Sequence, residues 1–179
     1  MGLYLTAILP PDIIAEEINE FKKIFATQYN SVYSLKVLPH ITLIPPMKLS
    51  DQIESLASAA LEQFAERQNT FSIELNGFGY FSGRHSDVVY VKPEPNVQLL
   101  AFQKELTNML RSADFEINLP SSNFNAHLTV ANRDLDKKER KKAWQEFENR
   151  SYARTFEVRE FHLLKHDGHK WQRFKAFKF

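Results

Sequence analysis

The chain contains no cysteine. That absence excludes disulfides, thiolate nucleophiles and Cys-based zinc or iron–sulfur sites. It suits a reducing compartment, and the start Met1-Gly2-Leu3-Tyr4 has no basic stretch leading into an apolar core. Together these features predict a cytoplasmic protein without a signal peptide. Glycine is scarce, at 5 of 179 residues, and no Gly-rich Walker or dinucleotide fingerprint occurs. No apolar run reaches the about 18 residues that a membrane span needs. Gly2 and Thr6 fit a myristoylation pattern, but no second membrane signal accompanies them.

What is present is ample core material. Hydrophobic residues make up 43% and aromatic residues 13%, with 15 Phe, so a folded globule is expected. The length suits residues 1–179 folding as one domain, built either as a single body or as two small lobes sharing a core. The net charge of +1 hides an asymmetry: residues 133–179 carry 14 basic and 8 acidic side chains, and the rest of the chain is acidic on balance. A basic C-terminal quarter attracts anions. The run Lys137-Lys138-Glu139-Arg140-Lys141-Lys142 reads more simply as a solvated helix face.

Residues 3–9 read as a buried strand, and Pro10-Pro11-Asp12 opens a helix. Over 13–29 the residues Ile14, Ile18, Phe21 and Phe25 form one apolar stripe. Residues 32–44 read as extended, with Pro39 marking a strand start or an edge. Ser50 and Asp51 cap a helix to about residue 66, with Leu56, Ala60 and Phe64 as its inner stripe. Residues 70–75 alternate as a half-buried strand, and the turn Ser82-Gly83-Arg84-His85, with His85 exposed, leads to a partner strand at 88–91. A helix over 96–112 follows. Residues 124–131 form a strand, and 136–149 a helix with Ala143, Trp144 and Phe147 inward. Strands at 154–165 and 169–177 join at Asp167-Gly168, a hairpin signal. Helices alternate with hairpins, so the expected class is α+β with mixed or antiparallel sheet.

One four-residue pattern occurs twice, His-x-Thr-hydrophobic. It stands in Pro39-His40-Ile41-Thr42-Leu43 and in Ala126-His127-Leu128-Thr129-Val130. Random placement of 6 His and 7 Thr would give about 0.2 His-x-Thr triplets. Residues i and i+2 of a strand share a face. His and Thr therefore project together while Ile41 and Leu43, or Leu128 and Val130, point into a core. The first copy runs into Pro45-Pro46 and the second into Asn132-Arg133, both of which are expected to end a strand. The copies lie in different halves of the chain, so two similar lobes could each present one imidazole to a common cleft.

Two imidazoles with adjacent hydroxyls suit a phosphodiester. One ring takes a proton from the attacking water and the other protonates the departing sugar oxygen. Thr42 and Thr129 donate to non-bridging phosphate oxygens. This scheme calls for no metal and no cofactor. His162, His166 and His169 also cluster, but hairpin spacing accounts for them better than a metal site does.

These residues resemble the 2H phosphoesterase superfamily, which includes the bacterial 2′-5′ RNA ligase and cyclic phosphodiesterase proteins. The likeness rests on the two motifs, the first strand ending in Pro-Pro, the Phe-x-Ile-x-Leu-x-Gly-x-Gly-x-Phe run at 71–81 and the C-terminal hairpin. It implies two pseudo-twofold-related lobes of mixed or antiparallel sheet with flanking helices around a central cleft. It also implies His40 and His127 as catalytic and Thr42 and Thr129 as phosphate-binding. Asn132 stands where ligase-like members often carry Arg, which leans away from the ligase label. Phe81 and Trp171 are candidate base-stacking aromatics, with core packing as their competing use. The expected activity is metal-independent hydrolysis of a 2′,3′-cyclic or 2′-5′-linked nucleotide or RNA-end phosphodiester. The alternatives are a nucleotide- or RNA-binding module with little turnover and a 2′-5′ ligase. No protein partner is evident in the sequence.

Overall fold

The fold is described from a computed structural model covering residues 1–82, 86–113, 115, 119 and 124–179. The elements run β1 (Gly2–Ile8), α1 (Asp12–Gln28), a 3-10 turn (Tyr33–Lys36), β2 (Ile41–Leu49), α2 (Asp51–Ala65), β3 (Phe71–Ser82), β4 (Asp87–Pro93) and α3 (Val97–Ser112). The second part adds β5 (Leu128–Ala131), α4 (Lys137–Phe147), β6 (Ala153–Val158), β7 (Glu160–His166) and β8 (Trp171–Lys178). The class is α+β. Eight strands form one sheet in the order β6-β3-β4-β5-β2-β1-β7-β8, and every pairing is antiparallel.

The sheet divides at its centre into two four-stranded lobes, each with a motif strand on the inner edge. The lobes are not simply the two halves of the sequence. One consists of β3 to β6, and the other is β1 and β2 completed by the C-terminal β7 and β8. The predicted strand at 154–165 is accordingly two strands at different places in the sheet: β6 pairs with β3, and after Arg159 β7 pairs with β1. Pairing partners distant in sequence decide that break, and nothing local marks it.

Local chemistry explains most helix ends. Ser50 accepts from the Ile53 amide, Asn96 from Leu99, and Asp136 from Lys138 and Glu139, each satisfying amides that a helix start leaves open. The buried stripe of α2 is Ala57, Leu61, Phe64 and Ala65, so Phe64 faces inward as expected while Leu56 and Ala60 are each one residue out of phase, Leu56 being 50% exposed. Pro45 and Pro46 do not end β2. They sit where its pairing with β1 shifts between Tyr4 and Thr6, an irregularity where a missing amide donor costs little. Residues 33–36 form the 3-10 turn in place of extended chain, and β5 starts at Leu128, later than expected. In β3 a similar shift falls between Leu75 and Phe78, where Gly77 takes a φ of +65°. The C-terminal hairpin is present with a longer loop than expected: His166 faces Trp171, and Asp167 accepts from the amides of His169 and Lys170. The predicted turn at His85 lies outside the described residues.

Phenylalanine forms much of the core. Phe64, Phe71, Phe102 and Phe161 meet edge-on or tilted beneath α2 and α3. Phe21, Phe25, Phe78 and Phe147 do the same beneath α1 and α4. Such pairs add about 0.5–1.5 kcal/mol each beyond the area they bury. Asp87 at the start of β4 is fully buried, and its Oδ2 accepts from Arg140 Nε of α4 at 2.8 Å. Arg140 also lies 4.3 Å over the Tyr80 ring. Removing the guanidinium would strand a buried carboxylate. Arg140→Met is therefore expected to lower stability in urea by about 3–5 kcal/mol. The double variant Arg140→Met, Asp87→Asn should recover part of that loss, whereas equal unfolding midpoints for wild type and Arg140→Met would remove the pair from the stability account.

Candidate functional site

At the centre of the sheet, β2 and β5 pair antiparallel through Ile41 and Leu128. His40 and His127 each precede the first residue of their strand by one position. Joining the strands at these two residues therefore brings the two imidazoles to one place. Ile41, Leu43, Leu128 and Val130 are fully buried in the main core, as the alternation requires. His40, Thr42, His127 and Thr129 line a single cleft of about 180 Å³ on the other side.

The two rings are held alike. His40 Nδ1 lies 2.7 Å from the Leu38 carbonyl, and His127 Nδ1 lies 2.7 Å from the Asn125 carbonyl. A carbonyl only accepts, so Nδ1 carries the proton in both, and each Nε2 presents its lone pair elsewhere. Burial disfavours the charged form of both rings. It is the main cause that lowers His40 to about 4, assisted by the charges of Lys22 and His127 and opposed by the Leu38 carbonyl. His127 is also lowered, by burial against the pull of the Asn125 carbonyl. Burial thus favours the neutral form of both rings near pH 7. Thr42 and Thr129 line the same cleft as the two rings.

The cleft is also lined by Asn132, noted above only for the Arg it replaces, and by residues that sequence reasoning did not select as site residues: Lys22, Tyr33, Ser34 and Arg133. The segment after β5 anchors the 3-10 turn of the other lobe. Asp134 accepts from Ser31 Oγ and from the amides of Val32 and Tyr33, all at 2.7–2.8 Å, and Asn132 accepts from Ser34 Oγ at 3.0 Å. Arg133, between these two anchors, adopts a φ of +62° and stacks 4.4 Å over Tyr33. Nothing in the sequence marks that left-handed arginine. Lys22 did leave a signal, because it continues the i, i+4 series Ile14, Ile18, Lys22 on the inward side of α1 and is 2% exposed.

Trp171 lines the cleft and packs beside the small cluster of Leu5, Ala7 and Leu164. Phe81 meets the His127 ring edge-on at 5.2 Å, with Tyr90 at 5.7 Å from the same ring. It therefore flanks a motif histidine without lining the cleft. A larger open depression of about 610 Å³, lined by Asp12, Glu157, Arg159, His162 and Arg173 among others, contains no motif residue. Its charges are largely self-paired, Arg159 with Glu157 and Arg173 with Asp12. His162 is there held beside Glu160 at 3.3 Å. Among the described residues no three His, Asp or Glu side chains are grouped to hold a metal, and no helix is long and apolar enough to cross a membrane.

Comparison with known proteins follows the same lines. A family model described as the 2′-5′ RNA ligase superfamily matches residues 10–170. A Bacillus pumilus (strain SAFR-032) protein named "Putative phosphoesterase" is 26% identical over 133 residues, which is 74% of this chain and 71% of that protein. Among solved structures, TT0787 of Thermus thermophilus superposes with a TM-score of 0.72 at 20% identity, over 99% of this chain and 97% of its own. E. coli LigT complexed with 3′-AMP gives a TM-score of 0.62 at 18% identity, over 99% and 98%. At those identities the two structures establish a shared fold.

The lowered imidazoles have a measurable consequence. Unfolded histidine takes up protons below about 6.5, whereas folded His40 does so only near 4, so the unfolded state holds more protons between those values. Stability should fall as pH drops from 7 to 4. His40→Gln should flatten that dependence by on the order of 2 kcal/mol at pH 5, read from urea unfolding at a series of pH values. An unchanged slope in the variant would show that His40 is not a buried neutral ring.

Proposed function

Because this chain belongs to the 2′-5′ RNA ligase superfamily, we propose that it is a phosphoesterase that opens a 2′,3′-cyclic or cleaves a 2′-5′-linked nucleotide or RNA-end phosphodiester through His40 and His127. The observation that carries this reading is the matched pair of imidazoles in one cleft, each with Nδ1 donated to a backbone carbonyl and Nε2 left to work. The 3′-AMP complex of LigT supports a nucleotide as the occupant.

In this reading Nε2 of one ring removes a proton from a water as its oxygen attacks phosphorus. The bond from phosphorus to the sugar oxygen breaks, and Nε2–H of the other ring protonates that oxygen. The general acid must therefore be charged when the reaction starts. Burial favours the neutral form of both rings, and an anionic phosphodiester beside them favours protonation of one. Substrate binding thus creates the acid. Thr42 and Thr129 hydroxyls donate to the non-bridging oxygens and hold the ester in line. Trp171, at the cleft wall, offers a face for a base, and Phe81 supports the position of His127. Residues 1–179 act as one unit in this scheme, because the two lobes supply one imidazole each.

The test is turnover. With a 2′,3′-cyclic nucleotide in the presence of EDTA, wild type should release a single monophosphate regioisomer with a bell-shaped pH profile. His40→Ala and His127→Ala should each lower kcat/KM by at least about a hundredfold, and Thr42→Val and Thr129→Val should act mainly through weaker substrate binding. Binding without turnover would indicate a nucleotide-binding module, and full activity in either histidine variant would refute the mechanism.

A further inference from the structure

Lys22 plays no part in the reaction just described, yet its situation is physically costly. The side chain is 2% exposed, and its ammonium donates to the Val37 carbonyl at 2.6 Å. An ammonium has three N–H donors, and this carbonyl occupies one. Among the described residues no carboxylate pairs with it, and burial alone lowers it to about 8, so it remains mostly charged at pH 7. Buried charges are normally paired, because desolvation is expensive. Lys22 is also one of the residues lining the cleft that holds both imidazoles and both motif threonines. With the rings neutral, that cleft carries a buried positive charge, and among the described residues lining it none is negative.

We propose that Lys22 is the anion-binding cation of this cleft, its ammonium taking a non-bridging oxygen of a tetrahedral phosphoryl or sulfuryl anion from the His40 side. The inference rests on the phosphoesterase reading for the identity of the anion, but not for its binding. The side is set by connectivity: Val37, which holds the ammonium, lies three residues before His40. A fixed cation there also keeps His40 neutral, which assigns it the base role and leaves His127 to become the acid. Among the described residues the other titratable or charged groups lining the cleft are Tyr33 from the 3-10 turn, His40 and His127 at the strand starts, and Arg133 after β5, which is engaged with the Tyr33 ring.

Inorganic sulfate is the probe, because its charge is constant from pH 7 to 9. By calorimetry, wild type should bind sulfate more weakly at pH 9 than at pH 7 as the ammonium titrates. Lys22→Met keeps the apolar stem and should bind roughly ten- to a hundredfold more weakly at pH 7, with no change to pH 9. Its stability in urea should equal or exceed that of wild type, since a desolvated charge is gone. Should that variant fail to fold, the Lys22 13Cε resonance of wild type must move on adding sulfate. Wild-type affinity in Lys22→Met, or an unmoved resonance, overturns the proposal. Sulfate loss in the variant combined with no phosphodiester turnover by wild type would refute the phosphoesterase reading and keep Lys22 as an anion ligand. Turnover by wild type with unaltered sulfate binding in the variant would do the reverse.

Discussion

The candidate site of this molecule depends on where two strands meet. β2 and β5 are joined through Ile41 and Leu128, and each of these residues follows a motif histidine. Period-2 geometry sends the flanking apolar residues into the core and the His and Thr side chains to the other face. A slip of one residue in either strand would bury the imidazole and expose a core side chain, so the hydrophobic pattern and the site protect the same register.

So short a contact needs help from elsewhere. The loop after β5 supplies it, with Asp134 and Asn132 binding the segment from Ser31 to Ser34 in the other lobe. α1 belongs in sequence to the first motif but packs against β5 of the second lobe. These ties run from one lobe to the other across the β2–β5 junction. The same segments carry Lys22 and Arg133, both of which line the cleft, so the elements that stabilise the junction also set its charge.

Legibility in the sequence followed the locality of the forces. Helix starts at Ser50, Asn96 and Asp136 were readable because a cap is a contact within three residues. The motif strands were readable because alternation is local. The break at Arg159 was not, because β6 and β7 are separated by partners on opposite sides of the sheet. Pro45 and Pro46 misled for the same reason: their missing donors matter only if the facing strand needs them, and β1 shifts register there. His40, His127, Thr42 and Thr129 were all identifiable as a set, and the cleft brings them together. Lys22 was passed over although it lies four residues after Ile18 on the inward side of α1, whereas Arg133 depends on a left-handed backbone that no neighbouring glycine announced.

The central claim is that both imidazoles address one phosphoryl group, and 15N NMR of the histidine side chains during titration with a nucleoside 3′-monophosphate tests it most directly. The account predicts that Nδ1 is protonated in both rings of the free protein. It also predicts that both Nε2 resonances shift along one binding isotherm with a single equivalent of ligand. Resonances of His40 and His127 that respond at different ligand concentrations, or only one of which responds, would contradict it.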